Sequence, residues 1–440
     1  MKYIPRKIDS ELLKWKEEND HKPLLIRGAR QVGKTKTIRE FGKTFENFIE
    51  VNFEESPSVR SLFEGDLSPA GICENLSAIY RTAIIPGKTL LFFDEIQSCQ
   101  NAIASLRYFY EKMPGLHLIS AGSLLEFALS EIPTFGVGRI RSLFLYPLGF
   151  SEFLIGMGEE NLLGILEKAS SEAPLPDAVH QKLLGLVRKF MLVGGMPQAA
   201  AEYIESGDIN KCQALLTDLT VAFRTDFAKY KKRFNVSLLQ EVFQSVIAQA
   251  GGKFVYSAGS ANANHSQIKT ALSLLITAGL VIPVTHTAAN GLPLGAEANP
   301  KRQKMLLLDT GLFQRAMGLD LSEFLTTTDF EVINKGNLAE QFVGLELIKT
   351  ASCYEPPELF YWHREAKSSN AEVDFVIRAG GKIVPVEVKS GGKGSMKSLH
   401  IFMKEKKCER GIRFSAENFS RYGAVETIPL YAVESIRKIS

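Results

Sequence analysis

The sequence predicts an α/β protein. A parallel sheet covered by helices on both faces comes first, then a helical segment, a helix–helix–hairpin module and a closing α/β unit. Three observations predict this. Up to about Pro147, short apolar runs alternate with polar helical stretches. From Ser151 to about Tyr230, strand signals give way to helical periodicity. Near the end, three strands of alternating polarity follow a helix.

Taken in order, Leu24–Ile26, Phe48–Val51, Leu90–Phe93 and Leu116–Ile119 read as short strands buried on both faces. Residues 1–150 are therefore assigned to the sheet and its helices. Residues 151–230 are assigned to the helical segment, interrupted by the loop-like stretch Ser170–Pro176. Residues 231–330 carry helices over Leu238–Ala250 and Ser266–Ala278, the extended run Leu280–Val284, and a Gly/Pro/Asn-rich loop from Asn290 to Pro300. Two helices and a strand pair around such a loop suggest a winged helix. Residues 331–440 open with a helix around Asn337–Thr350. Strands at Leu359–Trp362, Glu372–Ile377 and Ile383–Lys389 and a helix near Met396–Lys406 then read as a small separate unit.

Composition excludes several classes. At 440 residues, with 45% apolar and 23% charged side chains, the chain has the profile of an ordinary globular protein of two to four domains. Its 52 basic and 49 acidic side chains leave a net charge of +3, so no whole-molecule field demands a polyanionic partner. Five scattered cysteines (Cys73, Cys99, Cys212, Cys353, Cys408) and no C-x-x-C pair argue against a disulfide framework or structural zinc and fit a reducing cytoplasm. Lys2, Arg6 and Lys7 are followed by Asp9-Ser10-Glu11 rather than by the apolar core of a signal peptide. The most apolar stretch, Ala271 to Val284, is interrupted by Ser273 and Thr277 and falls short of the roughly 20 residues that cross a bilayer, so no membrane partner is expected.

The first chemical signal is Gly28-Ala29-Arg30-Gln31-Val32-Gly33-Lys34-Thr35, which matches G-x-x-x-x-G-K-[ST] between a strand and a helix. Glycines let the backbone wrap phosphates with its N–H groups inward, and the helix N-terminus adds partial positive charge. Lys34 is expected to reach the β- and γ-phosphates of ATP, and the Thr35 hydroxyl to ligate Mg²⁺. Leu90-Leu91-Phe92-Phe93-Asp94-Glu95 supplies the second element: Asp94 to hold Mg²⁺ through water, Glu95 to orient and polarise the attacking water. After the next strand, Ser120-Ala121-Gly122-Ser123 is either a tight turn of small residues or a hydroxyl sensor, Ser123 being the better candidate. Arg139 and Arg141 follow Phe135-Gly136-Val137-Gly138. Each is either an ordinary surface arginine or a finger acting on a neighbouring subunit's nucleotide.

These residues, with Gly138-Arg139, Tyr146-Pro147-Leu148, Glu152-Phe153-Leu154, Val193-Gly194-Gly195-Met196-Pro197 and Arg224-Thr225-Asp226, carry a resemblance over nearly the whole chain. It resembles a prokaryotic AAA-type P-loop ATPase family whose members have a C-terminal domain of unknown function. The resemblance implies an ATPase core, a helical lid and a winged helix in that order. It places Gly195 and Pro197 in the lid near the base, and by analogy it implies self-association.

A second constellation lies near the end. Alternation puts Glu372 and Asp374 on one face of a strand, and Glu387 and Lys389 on one face of the next, with Glu340 within reach from the preceding helix. Paired carboxylates suit Mg²⁺, and a nearby ammonium suits phosphodiester hydrolysis; the alternative is an exposed sheet face with solvated charges. The order of a helical Glu340, a strand Asp374, then Glu387-Val388-Lys389 resembles the restriction-endonuclease-like clan, with Val373 where a proline is usual. The resemblance implies Glu340, Asp374 and Glu387 as metal ligands beside Lys389. Lys229, Lys231, Lys232, Arg233 and the stretch His265 to Lys269 offer donors for DNA phosphates, although winged helices also bind protein. His363, beside Trp362, reads as a packed residue.

The expectation is a cytoplasmic, Mg²⁺-dependent ATPase coupled to a winged-helix and nuclease-like module acting on DNA. The rival is a nucleotide-dependent switch whose C-terminal fold recognises a partner, protein or nucleic acid, without cutting it.

Overall fold

The computed structural model describes residues 2–123, 125–129, 138–230, 234–319, 337–364, 370–391 and 395–439. They form two compact units, one of residues 1–147, 277–279 and 352–356, the other of residues 148–276, 280–351 and 357–440.

The first unit is a five-stranded, fully parallel sheet. Its strands are β1 (Leu24–Arg27), β2 (Asn47–Asn52), β3 (Thr89–Asp94), β4 (His117–Ala121) and β5 (Arg141–Phe144), in the order β2-β3-β4-β1-β5. Helices α1 (Lys7–Glu17), α2 (Lys34–Gly42), α3 (Pro69–Tyr80), α4 (Gln100–Lys112) and the short α5 (Leu125–Leu129) belong to it. The central β3 and β4 are buried along their whole length, as continuous apolar runs require. Strand β2 departs from the expected double burial: only Ile49 and Val51 are buried, because β2 is an edge strand. The other edge, β5, has one buried residue of four, too weak an apolar signal to read from sequence. On one side of the sheet Phe93 packs edge-on against Phe53, Phe63 and Phe109, with ring centroids 5.5–6.0 Å apart. These rings form much of the core beneath the carboxyl end of β3.

The next part of the chain is helical, as the periodicity demands: α6 (Phe150–Gly156), α7 (Glu160–Leu166), α8 (Asp177–Val193), α9 (Pro197–Ser206) and α10 (Ile209–Asp226), with 170–176 irregular. Then come α11 (Val236–Ala248), α12 (His265–Thr277), β6 (Val281–Thr287), β7 (Ala298–Leu307), α13 (Thr310–Met317) and α14 (Asn337–Thr350). The chain closes with β8 (Leu359–Arg364), β9 (Ala371–Ala379), β10 (Lys382–Val388), α15 (Lys397–Lys406), β11 (Gly411–Ser415), β12 (Ser420–Tyr422) and β13 (Val425–Pro429).

Strands β6 to β13 form one mixed sheet, ordered β12-β13-β11-β10-β9-β8-β6-β7. The expected separation at residue 330 is therefore absent from the sheet. Strand β6 pairs in parallel with β8, Val284 opposite Leu359 and His286 opposite Tyr361. A free β6 edge would leave a row of N–H and C=O groups unpaired, and β8 supplies their partners. The Val193–Pro197 motif is a packing device of this unit. The Asp309 carboxylate accepts the amides of Gly195 (2.5 Å) and Leu312 (3.1 Å), so it caps α13 and fixes the turn after α8. A Cβ on Gly195 would stand 2.2 Å from the Leu148 carbonyl oxygen. Among the described residues, no helix is long and apolar enough to cross a membrane.

Candidate nucleotide site and C-terminal carboxylate cluster

Gly28 to Thr35 joins the end of β1 to the first turn of α2, at the carboxyl ends of the strands where open α/β sheets bind ligands. The loop turns through left-handed backbone at Gln31 (φ 63°) and Gly33 (φ 98°). A non-glycine residue there persists only when its surroundings hold it. Arg6 contributes to that hold. Its buried guanidinium donates to the carbonyls of Val32 (3.1 Å) and Tyr146 (2.6 Å). Sequence alone marked Arg6 only as part of a basic N-terminus, since a contact spanning 140 positions leaves no local pattern.

Lys34 is 7% exposed, and its ammonium donates to the carbonyls of Gly28 (2.9 Å) and Ala29 (2.7 Å). Burial lowers its pKa to about 8, against the opposing pull of Glu95 and Asp94. The Thr35 hydroxyl lies 3.1 Å and 3.3 Å from the two oxygens of Asp94. A hydroxyl and a carboxylate in mutual contact beside a phosphate-binding loop are the oxygen donors that a hard cation takes while keeping phosphate and water ligands. Thr35 and Asp94 fit Mg²⁺. Asp94 is 4% exposed; burial, then the neighbouring Glu95 charge, raises its pKa to about 6.

Glu95 turns away from this pair. It adopts a left-handed φ of 48° where β3 ends. Its Oε2 accepts the amide (3.1 Å) and hydroxyl (3.0 Å) of Ser123 and the side-chain amide of Gln97 (2.6 Å). In the Ser120–Ser123 turn the Ser123 hydroxyl donates to Glu95, whereas Ser120 is buried in β4. Gln97 completes this set. Its Oε1 is buried without a hydrogen-bond partner and faces Gly122. The only trace in sequence is an amide two residues after Glu95.

Neither candidate finger is brought to the loop. Arg141 starts β5 opposite Leu24, the opposite end of β1 from the loop, and its Nη1 lies 2.6 Å from Glu18. Arg139 is half-exposed and paired with Glu111 of α4. Phe135, Gly136 and Val137, which precede them, lie outside the described residues.

In the second unit, β9 and β10 bring Asp374 and Glu387 onto neighbouring strands, and Asp374 Oδ2 accepts the Val388 amide (2.8 Å). Glu387 pairs with Lys389 at 2.6 Å, while its second oxygen is buried without a hydrogen-bond partner. Between Glu340 and Asp374 lies a group that no motif indicated, the ammonium of Lys304 from β7. Its Nζ is 3.0 Å from Glu340, in contact with Glu372, and 3.8 Å from Asp374, and the residue is 1% exposed. Burial alone would lower this ammonium, yet Glu340, Asp374 and Glu372 outweigh it and raise its pKa. Burial raises the Glu340, Asp374 and Glu387 carboxyls in turn, against Lys304 and Lys389. Among the described residues, no group of three His, Cys, Asp or Glu side chains is arranged to hold a metal ion. The Lys304 ammonium thus occupies the place between Glu340 and Asp374 that the expected reading gives to a metal ion.

Of the stretch His265 to Lys269, the residues His265, Ser266, Gln267 and Lys269 of α12 are exposed and Ile268 is buried. Lys231, Lys232 and Arg233 lie outside the described residues.

Parts of the chain match known protein families. Residues 20–154 match a family profile described as an AAA domain. Residues 184–323 and 335–433 match two profiles described as domains of unknown function, DUF8612 and DUF4143. No curated protein matches the sequence. Among solved structures, the chain is similar to the Walker-type ATPase PABY2304 of Pyrococcus abyssi at 15% identity, with 72% of this chain and 96% of that one covered and a TM-score of 0.46. It is also similar to the Aeropyrum pernix Orc1 protein in complex with DNA, at 14% identity, 73% and 95% coverage and a TM-score of 0.31. For unliganded Pif1 from a Bacteroides species the values are 16%, 43% and 51%, and 0.22. With its phosphate loop between β1 and α2, its acidic pair closing β3 and its match over residues 20–154, the chain carries a P-loop ATPase domain of the AAA type.

Proposed function

We propose that this protein is a Mg²⁺-dependent ATPase whose nucleotide state sets how its second unit engages DNA. The carrying observation is the division of labour at the end of β3. Asp94 is bonded to Thr35, while Glu95 is held by Ser123 and Gln97. The loop amides and Lys34 bind the phosphate tail, Lys34 exchanging the Gly28 and Ala29 carbonyls for phosphate oxygens. Thr35 and Asp94 hold Mg²⁺, which supplies charge neutralisation at the phosphates. Glu95 orients the attacking water and accepts its proton, and Ser123 and Gln97 fix the direction in which the carboxylate points.

Engagement of DNA is supported by the exposed face of α12, where Lys269 and Gln267 are free of the core and offer donors to phosphate oxygens. The cutting reading requires Glu340, Asp374 and Glu387 to hold a divalent ion, and the position of Lys304 favours recognition without cleavage. The test pairs two assays on full-length protein. Lys34→Ala abolishes ATP binding and turnover. DNA binding by wild type changes between ATP-bound and nucleotide-free states and weakens in Lys269→Glu. DNA affinity that is indifferent both to nucleotide and to Lys269→Glu rejects the DNA assignment and leaves the ATPase intact.

A further inference from the structure

Carboxylates brought together out of water need a cation between them. Here Glu340 and Asp374 converge with Glu372, and what joins them is a side chain. We propose that Lys304 is the built-in cation of this cluster, an ammonium delivered by β7 that takes the place of a divalent metal and closes the site to one.

The geometry is that of a fixed ligand, not of a surface lysine at rest. Lys304 sits in the ladder opposite Val284, and its backbone also bridges to Lys253, so its Cα cannot drift from the cluster. Its stem is buried and its Nζ lies 5.4 Å from the Tyr361 ring centroid. The ammonium hydrogen-bonds Glu340 and Glu372 and stands 3.8 Å from Asp374. A hard cation binding Glu340 and Asp374 together would have to occupy the same space and displace a buried charge from its partners. The four residues come from the hairpin strand, α14 and β9, so the cluster also ties the β6–β7 hairpin to the strands that follow it. Lys304 thereby does the joining that a metal would do, without any dependence on metal supply. The proposal bears on the recognition-without-cleavage reading above, and it is tested without DNA, so the two can fail separately.

The experiment is Mn²⁺ titration of full-length, nucleotide-free protein, followed by electron paramagnetic resonance. Wild type and Asp374→Asn are expected to give superimposable titrations. Lys304→Ala is expected to gain a Mn²⁺ site at least about tenfold tighter than any in wild type, because it leaves the Glu340, Glu372 and Asp374 carboxylates without their cation. Asp374→Asn added to Lys304→Ala removes that gain. A Mn²⁺ ion bound by wild type and lost in Asp374→Asn overturns the proposal, and this comparison needs no Lys304 variant to fold. A folded Lys304→Ala protein that takes up no more Mn²⁺ than wild type overturns it equally.

Discussion

The Glu95 carboxylate accepts both the amide and the hydroxyl of Ser123, at 3.1 and 3.0 Å, so the end of β4 aims the acid that closes β3. A general base adds roughly 10²–10⁴ in rate when positioned. Glu95→Gln should therefore cut ATP turnover by about 10²-fold or more while leaving ATP affinity within about threefold of wild type. Ser123→Ala removes one of three bonds to Oε2 and should cost about tenfold in kcat with KM unchanged, since a bond to a charged group is worth roughly 1.5–3 kcal/mol before partial compensation. Steady-state kinetics checks both, and a rise in kcat for Ser123→Ala would contradict the positioning role.

Lys34 gives the site a pH dependence on the alkaline side. Its ammonium titrates at about 8 in the unliganded protein because burial disfavours the charge. Phosphate oxygens favour the charged form, so binding raises this pKa and, near and above pH 8, takes up a proton. ATP affinity should fall as pH rises from 7 to 9. Calorimetry at pH 8.5 in buffers of different ionisation heat should show net uptake of about three-quarters of a proton, and Lys34→Arg should lose that uptake.

How much of this was legible in the sequence depends on the distance over which each signal acts. The phosphate loop and the Asp94-Glu95 strand end are contiguous motifs, and Leu90–Phe93 announces its burial through four apolar side chains in a row. Gln97 acts through one bond to a neighbouring residue and Arg6 through bonds to two remote carbonyls, and none of these contacts has a periodicity to detect. Strand β5, with only Leu143 fully buried, is a strand because β1 offers it an edge. In the second unit, alternation placed Asp374 and Glu387 on neighbouring strands, but Lys304 comes from a hairpin strand 70 positions before Asp374. Only the parallel pairing of β6 with β8 brings that hairpin alongside. The acids of the cluster were readable and its cation was not, because complementarity of charge across a sheet is a property of register.

Asp94 sets the acid limb. Its pKa of about 6 reflects burial first and Glu95 second. A cation needs the carboxylate form, so Mg²⁺ binding below that pH must displace a proton. Turnover at limiting Mg²⁺ should decline as pH falls below 6 and be restored by higher Mg²⁺. Thr35→Ala should raise the Mg²⁺ concentration for half-maximal turnover about tenfold, as the loss of one oxygen donor implies. Turnover that falls with pH equally at low and saturating Mg²⁺ would place the acid limb elsewhere.

His117 makes the first unit acid-sensitive. Its ring stacks on His21 at 3.9 Å between centroids and its Nε2 lies 3.1 Å from the Lys16 carbonyl. Burial, then the His21 charge, depresses its pKa to about 4 from an ordinary 6.5. The folded form therefore keeps the imidazole neutral, whereas the unfolded chain takes up a proton below 6.5. The contribution is intact above pH 6.5 and is lost as pH falls from 6.5 to 4. Denaturant unfolding of wild type against His117→Gln should show about 1–2 kcal/mol less acid-induced loss in the variant across that window. Parallel pH profiles would remove His117 from the account.

Gly122 separates catalysis from folding. Its backbone φ is not left-handed, but a Cβ there would lie 1.9 Å from Gln97 Oε1. The obstructing atom is the end of a flexible side chain, so Gly122→Ala should be absorbed by Gln97 swinging away, with a melting temperature within about 2 °C of wild type. What swings away with it is the 2.6 Å bond from Gln97 to Glu95. Turnover should then fall about three- to tenfold, the scale of one lost hydrogen bond to a carboxylate. Gln97→Ala should reproduce the loss, and combining the two should cost no more than either alone, since both remove the same contact. Additive losses in the double variant would mean that Gly122 acts on turnover by a route other than the Gln97 amide.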